Sequence, residues 1–100
     1  MSEELFVYGT LKLSEIQRQV IGREVELVTD TLPGYKTTVV VVDGTECLTL
    51  VPDPGTFVEG AIMSVTEDEL GRIDAYEPDE YQRIRVTAAS GKSVWIYTKS

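Results

Sequence analysis

Thr38-Val39-Val40-Val41-Val42-Asp43-Gly44-Thr45-Glu46-Cys47-Leu48-Thr49-Leu50-Val51 is the stretch that decides the fold. Its first five residues are all β-branched, a side-chain type that stiffens χ1 and suits a pleated, half-buried surface. Asp43-Gly44 then supplies a pair that tolerates the left-handed backbone of a tight hairpin turn, and residues 47–51 return as the second strand. Working outward from this hairpin, Pro52-Asp53-Pro54-Gly55 reads as another turn, and residues 57–65 as a strand interrupted at Gly60. A glycine inside a strand signals a bulge or a close approach of backbone. On the other side, Leu32-Pro33-Gly34 reads as a turn, and Val25, Leu27 and Thr29 alternate with Glu24, Glu26 and Val28 as a half-buried strand would.

The same reading extends to both ends. Leu5-Phe6-Val7-Tyr8 is apolar on both faces, which predicts a central strand ended by Gly9-Thr10. Ser14-Glu15-Ile16-Gln17 has the form of a capping box and predicts a short helix to about Gly22. Thr66-Glu67-Asp68-Glu69 is a second box, opening a helix that ends by Tyr76 or Glu77 because Pro78 follows. Ile84, Val86 and Ala88 alternate with Arg83, Arg85 and Thr87, Ser90-Gly91-Lys92 turns the chain, and residues 94–97 form a last strand. About six strands with two short helices predict an α+β fold, a small mixed or antiparallel β-barrel with the helices flanking it. The 100 residues allow one domain, spanning residues 1–100.

Composition narrows the chemistry. Nine basic against seventeen acidic residues give a formal charge of -8, which repels phosphate backbones and anionic lipid and argues against nucleic acid or membrane partners. There is no histidine, which excludes serine–histidine and cysteine–histidine nucleophiles and removes the commonest transition-metal ligand. Acid–base work must fall to carboxylates, tyrosine or lysine. Cys47 is alone, so no intrachain disulfide forms, and its apolar surroundings predict a small buried hydrophobe. With no signal-peptide pattern and no long apolar run, the expected compartment is the cytoplasm.

Glu77 is the candidate catalytic residue. Leu70, Ile73 and Glu77 follow one another at intervals of three and four, one stripe of the helix opened by Thr66. A carboxylate on an apolar stripe, at a helix's carboxyl end, has its pKa pushed upward toward the range of a general base that later serves as an acid. Periodicity leaves a second reading open, in which the helix frays and Glu77 joins a solvated acidic turn, Glu77-Pro78-Asp79-Glu80. Asp74, four after Leu70, is the alternative carboxylate, and reads more simply as a solvated flank. Tyr8-Gly9-Thr10-Leu11 is a strand end running into a turn, whose backbone amides can converge on a carboxylate or oxyanion. It matches neither phosphate-loop pattern. Arg83 and Arg85 share one strand face, where they clamp an anion or pair with surface acids. The acid-rich turns lack the spacing of a calcium loop.

Taken in order, these pieces resemble a known family. Phe6-Val7-Tyr8-Gly9-Thr10-Leu11-Lys12 is similar to the YGTLK signature of the γ-glutamylcyclotransferase-like family, and the later Val58-Glu59-Gly60, Leu70-x-x-Ile73-Asp74-x-x-Glu77 and Tyr81-Gln82-Arg83 resemble its V-x-G, LD-x-x-E and Y-x-R pattern. The γ-glutamylamine cyclotransferase branch is nearest in wording, and the resemblance runs from Leu5 to about Tyr97. It implies a small β-barrel with flanking helices, catalysis by one glutamate that corresponds to Glu77, and binding of the γ-glutamyl part by the loop Tyr8, Gly9, Thr10 and Leu11. Tyr81 and Arg83 join the implied substrate-binding set, Tyr81 as a buttress of the pocket wall and Arg83 as the tie between its strand and the acidic turn.

The implied activity is an amide-cleaving cyclisation, of the transferase or lyase type, that releases 5-oxoproline and a free amine from a γ-glutamyl amine or amino acid. Such a substrate carries its own nucleophile, so neither metal nor cofactor is expected, and the partner is a small molecule with no obligate protein. The chain departs from the family where relatives often carry an aromatic–proline pair after the first hairpin and it has Glu46-Cys47-Leu48. It is also shorter than several members and lacks a carboxyl-terminal tail that encloses substrate in some, which leaves the acyl group open. Two other classes fit the residues. A non-catalytic small-molecule-binding barrel of the same fold would keep the pocket without needing Glu77, and an acidic protein–protein module would expose an apolar patch instead.

Overall fold

The computed structural model describes residues 2–99, with the side chain of Thr10 outside the described set. In chain order it has β1 (Ser2–Val7), a 3-10 turn (Thr10–Lys12), α1 (Ser14–Ile21), β2 (Val28–Val42), β3 (Thr45–Thr66), α2 (Glu67–Tyr76), β4 (Tyr81–Thr87) and β5 (Ser93–Lys99). The strands form one sheet in the order β2-β3-β1-β5-β4. All neighbours are antiparallel except β1 and β5, which pair in parallel with Leu5 beside Trp95. The expected α+β class holds, and the sheet is a curled half-barrel.

The sheet has five strands because two segments that read as turns lie within strands. β2 and β3 pair continuously past both proline signals, from Val28↔Ile62 to Val42↔Thr45. The register passes from Pro33↔Phe57 to Tyr35↔Pro52, so Gly34 on one strand lies opposite residues 53–56 on the other. The two turn signals therefore make one shared irregularity. β2 is the outermost strand, where a proline forfeits no ladder bond on the free side, and a bulge absorbs the extra residues of β3. The Asp43-Gly44 turn is as expected, with φ of 51° and 77°, the left-handed pair that suits the twist of a two-residue hairpin.

Alternation sorts the apolar side chains into two clusters. Leu5, Val7, Ala61, Met63, Val65 and Tyr97 face one way and meet Leu11, Ile21, Leu70 and Ile73 from the helical side. Phe6, Ile62, Val94 and Ile96 face the other way, with Leu32, Leu50, Val58 and Ala88. Each large side chain removed from water in this way contributes about 1.5–3 kcal/mol. Curling is held by links between distant strands, with Lys99 N–H donating to Thr49 Oγ1 at 2.8 Å and Ala89 N–H to Thr31 O at 2.8 Å. Gly60 is a place of close approach: a Cβ there would lie 2.5 Å from the Val7 carbonyl oxygen and 2.7 Å from the Phe6 ring.

The two predicted capping boxes differ in outcome. At α2 the box is complete, with Glu69 N–H donating to Thr66 Oγ1 at 3.1 Å and Thr66 N–H to Glu69 Oε1 at 3.0 Å. At α1 the cap is Leu13 with no side-chain bond, and Gln17 is buried instead of reaching back to Ser14. The segment before β2 is strand only from Val28, although Val25 and Leu27 do pack inward against the first cluster. Among the described residues no helix is long and apolar enough to cross a membrane.

Candidate active site

A cavity of about 490 Å³ opens where the end of β1, the hairpin after β2, the end of α2 and the last strand converge. Tyr8, Gly9 and Leu11 line one part, residues 45–48 of the hairpin another, and Tyr76, Glu77, Tyr81 and Tyr97 complete the polar lining. Among the described residues no lysine or arginine lines it, whereas Glu46 and Glu77 do. The cavity is therefore suited to a cationic group and leaves an anionic one to main-chain amides.

Glu77 arrives there by the stripe read from the sequence. Leu70 and Ile73 are buried in the first cluster, and the Glu77 N–H still donates to the Ile73 carbonyl at 3.0 Å. Its own backbone has turned extended, at φ -73° and ψ 148°, just before Pro78. The side chain is half-buried rather than frayed into solvent. Burial first, and the neighbouring Asp74 carboxylate second, raise its pKa from 4.5 to about 7. A carboxyl group so placed is divided between its two protonation states near neutrality and can both take and return a proton.

Three tyrosines surround it. Tyr8 donates its hydroxyl to the main-chain carbonyl of Tyr97 at 2.5 Å, Tyr81 donates to the carbonyl of Leu48, and Tyr97 donates to Asp74 Oδ1 at 2.5 Å. Burial raises the pKa of each phenol, with a further contribution from Glu77 in every case, so all three stay protonated. Because each hydrogen is already committed to a carbonyl or carboxylate, what each phenol oxygen has left to offer is an acceptor.

Several candidate residues are placed differently from their sequence reading. Arg83 does not line the cavity: its Nε lies 3.2 Å from Asp74 Oδ1 and its guanidinium stacks 4.4 Å from the centre of the Trp95 ring. It thus ties its strand to the last turn of α2. Arg85 makes the expected surface pairing, 3.9 Å from Glu3, and covers the same indole. Asp74 is exposed, as a flank would be, but Tyr97 and Arg83 both hold it. Cys47 is only partly buried and lines the cavity instead of the core. Thr10 opens the 3-10 turn, and its side chain lies outside the described residues. Tyr97 was not legible as a site residue, because only the parallel pairing of β5 with β1 brings it beside Tyr8.

Five strands in this order, curled over a cavity at the end of the central strand with two helices against one face, are a γ-glutamylcyclotransferase-like fold. The chain belongs to the family described as gamma-glutamyl cyclotransferase, AIG2-like, whose sequence model matches residues 5–100. It is 35% identical over 83 residues to AIG2-like protein A of Arabidopsis thaliana, covering 82% of this chain and 49% of that protein. The chain thus spans about half the length of the Arabidopsis relatives it matches. It superposes on the solution structure of an Arabidopsis thaliana protein with a TM-score of 0.82 at 29% identity, over 98% of this chain and 68% of the other. It superposes on a gamma-glutamyl cyclotransferase with a TM-score of 0.81 at 18% identity, over 100% of this chain and 68% of the other, a likeness of fold.

Proposed function

We propose that this protein is a γ-glutamyl cyclotransferase that converts a γ-glutamyl amine or amino acid to 5-oxoproline and the free amine. The observation that carries the reading is the half-buried Glu77, poised near neutrality in a cavity with no fixed cation. In the proposed reaction the ionised Glu77 removes a proton from the substrate's α-ammonium group, for which the phenol oxygens of Tyr8 and Tyr81 are further acceptors. The freed amine attacks the γ-carbonyl carbon of the same molecule and forms the five-membered ring. Negative charge gathers on the former carbonyl oxygen, which is met by main-chain amides of the loop Tyr8, Gly9, Thr10 and Leu11. Glu77 returns its proton to the departing amine as the bond from carbon to that amine breaks, then takes the second proton from the ring nitrogen and passes it to the amine, which leaves as an ammonium ion.

Tethering nucleophile to electrophile supplies a large effective molarity, so one carboxyl and a positioned loop can suffice. The reading requires a small-molecule substrate and no protein, nucleic acid or membrane partner, and the free thiol of Cys47 suits a reducing cytoplasm. The test is incubation of the purified protein with a panel of γ-glutamyl amines and dipeptides, with 5-oxoproline measured by mass. Release of 5-oxoproline in step with free amine supports the reading. Ligand binding without turnover across the panel would favour the non-catalytic barrel.

A further inference from the structure

Gln17 is 1% exposed, the most buried polar side chain of α1, and it sits one turn before the buried Ile21 on the helix's inward face. A buried amide is costly unless both of its ends are bonded. Both are. Nε2 donates to the Leu11 carbonyl at 2.8 Å, and Oε1 accepts from Val25 N–H at 3.0 Å. Leu11 belongs to the 3-10 turn that Lys12 N–H closes onto the Gly9 carbonyl at 3.2 Å, and Gly9 and Leu11 line the cavity while Gln17 does not. An apolar side chain of similar length would fill the same space. What the amide adds is two directed bonds, joining the glycine loop to the segment that leads into β2.

We propose that Gln17 is a positioning residue for substrate binding, holding the Gly9–Leu11 wall of the cavity in place through the Leu11 carbonyl. This rests on the cyclotransferase reading for its substrate, though the anchoring itself does not. Because the loop is proposed both to hold the γ-glutamyl part and to meet the developing oxyanion, its loosening acts on binding and on the chemical step together.

The experiment compares wild type with Gln17→Met, which keeps length and volume but loses both bonds. For a γ-glutamyl amine, kcat/KM is expected to fall about tenfold, the scale of one buried hydrogen bond, through KM and kcat together, while the pH at which activity rises stays that of the wild type. Amide hydrogen exchange at Gly9, Leu11 and Lys12 is expected to quicken while that of α2 stays as it was. A variant of lowered stability with unchanged kcat/KM and unchanged loop exchange would overturn the proposal and leave Gln17 a packing residue. If Gln17→Met does not fold, the wild type itself decides: saturating 5-oxoproline should slow exchange of the Val25 amide along with the loop, and an indifferent Val25 would overturn the link. Should the protein neither turn over nor bind any γ-glutamyl compound, the cyclotransferase reading fails, and the loop exchange of Gln17→Met still judges the anchoring.

Discussion

The hydroxyl of Tyr97 donates to Asp74 Oδ1 at 2.5 Å, and the same oxygen is 3.2 Å from Arg83 Nε. The carboxylate is therefore held from the sheet by two side chains, on the helix that ends at Glu77. Asp74 is the second cause, after burial, of the raised pKa of Glu77. Through its main-chain carbonyl Tyr97 also receives Tyr8, so one residue fixes both the charge beside the base and the wall facing it.

Asp74→Asn tests this arrangement. The wild-type kcat/KM should rise with pH through about 7 as Glu77 ionises. Asparagine still accepts from Tyr97 but carries no charge, so the limb should move to lower pH. It should stay above the ordinary 4.5, because burial remains. A limb that does not move would show that Asp74 is not felt at the base.

Glu77→Gln should reduce turnover by about 10²–10⁴-fold, the usual contribution of a general base. Its effect on stability has a definite sign. The folded-state pKa of about 7 lies above the unfolded value of 4.5, so the wild type is favoured by protonation below 4.5 and loses that stability as pH rises through 7. Above pH 8 the variant should be the more stable by roughly 1–3 kcal/mol, allowing for the partial exposure of the side chain. Denaturant titrations at acid and alkaline pH check both halves, and an equal difference at the two would contradict the assigned burial.

Gly9→Val should fold. A Cβ at Gly9 meets no atom within 4 Å, so the side chain is added from a position with room around it, on the wall of the cavity. An unfolding midpoint near wild type, with binding of 5-oxoproline lost, is the expected pair of results. Normal binding would remove the loop from the site.

Gly60→Ala should do the opposite. Its methyl group would press on the Val7 carbonyl oxygen, a main-chain atom that cannot swing aside, and the cost should be about 1–3 kcal/mol of overpacking. Because Val7 precedes Tyr8, the displaced strand end should also lower activity. Thermal unfolding and turnover measured together check the pair.

Local chemistry made much of this legible. The Thr66–Glu69 box, the stop at Pro78 and the Leu70–Ile73–Glu77 stripe depend on residues a turn apart, and the fold follows them. Pairing across the chain was not legible. Proline and glycine at 33–34 and 52–55 carry a strong local turn signal, and only their meeting across two strands makes them one irregularity. Gln17 has the spacing of a capping box, yet the burial of α1 against the loop draws its amide inward. The flank position of Asp74 was legible but its partners were not, because Arg83 and Tyr97 come from strands later in the chain.

β1 lies between β3 and β5, with the last strand of the sheet in parallel beside the first. During synthesis β1 can pair on only one side until Trp95 has left the ribosome, and the bond from Tyr8 to Tyr97 closes a loop of 89 residues. Contacts so distant in sequence pay their closure entropy before any reward, which slows folding. The β2–β3 hairpin, whose contacts are local, can form early, whereas the cavity cannot. A nascent chain therefore carries a formed hairpin and no assembled site until β5 is out.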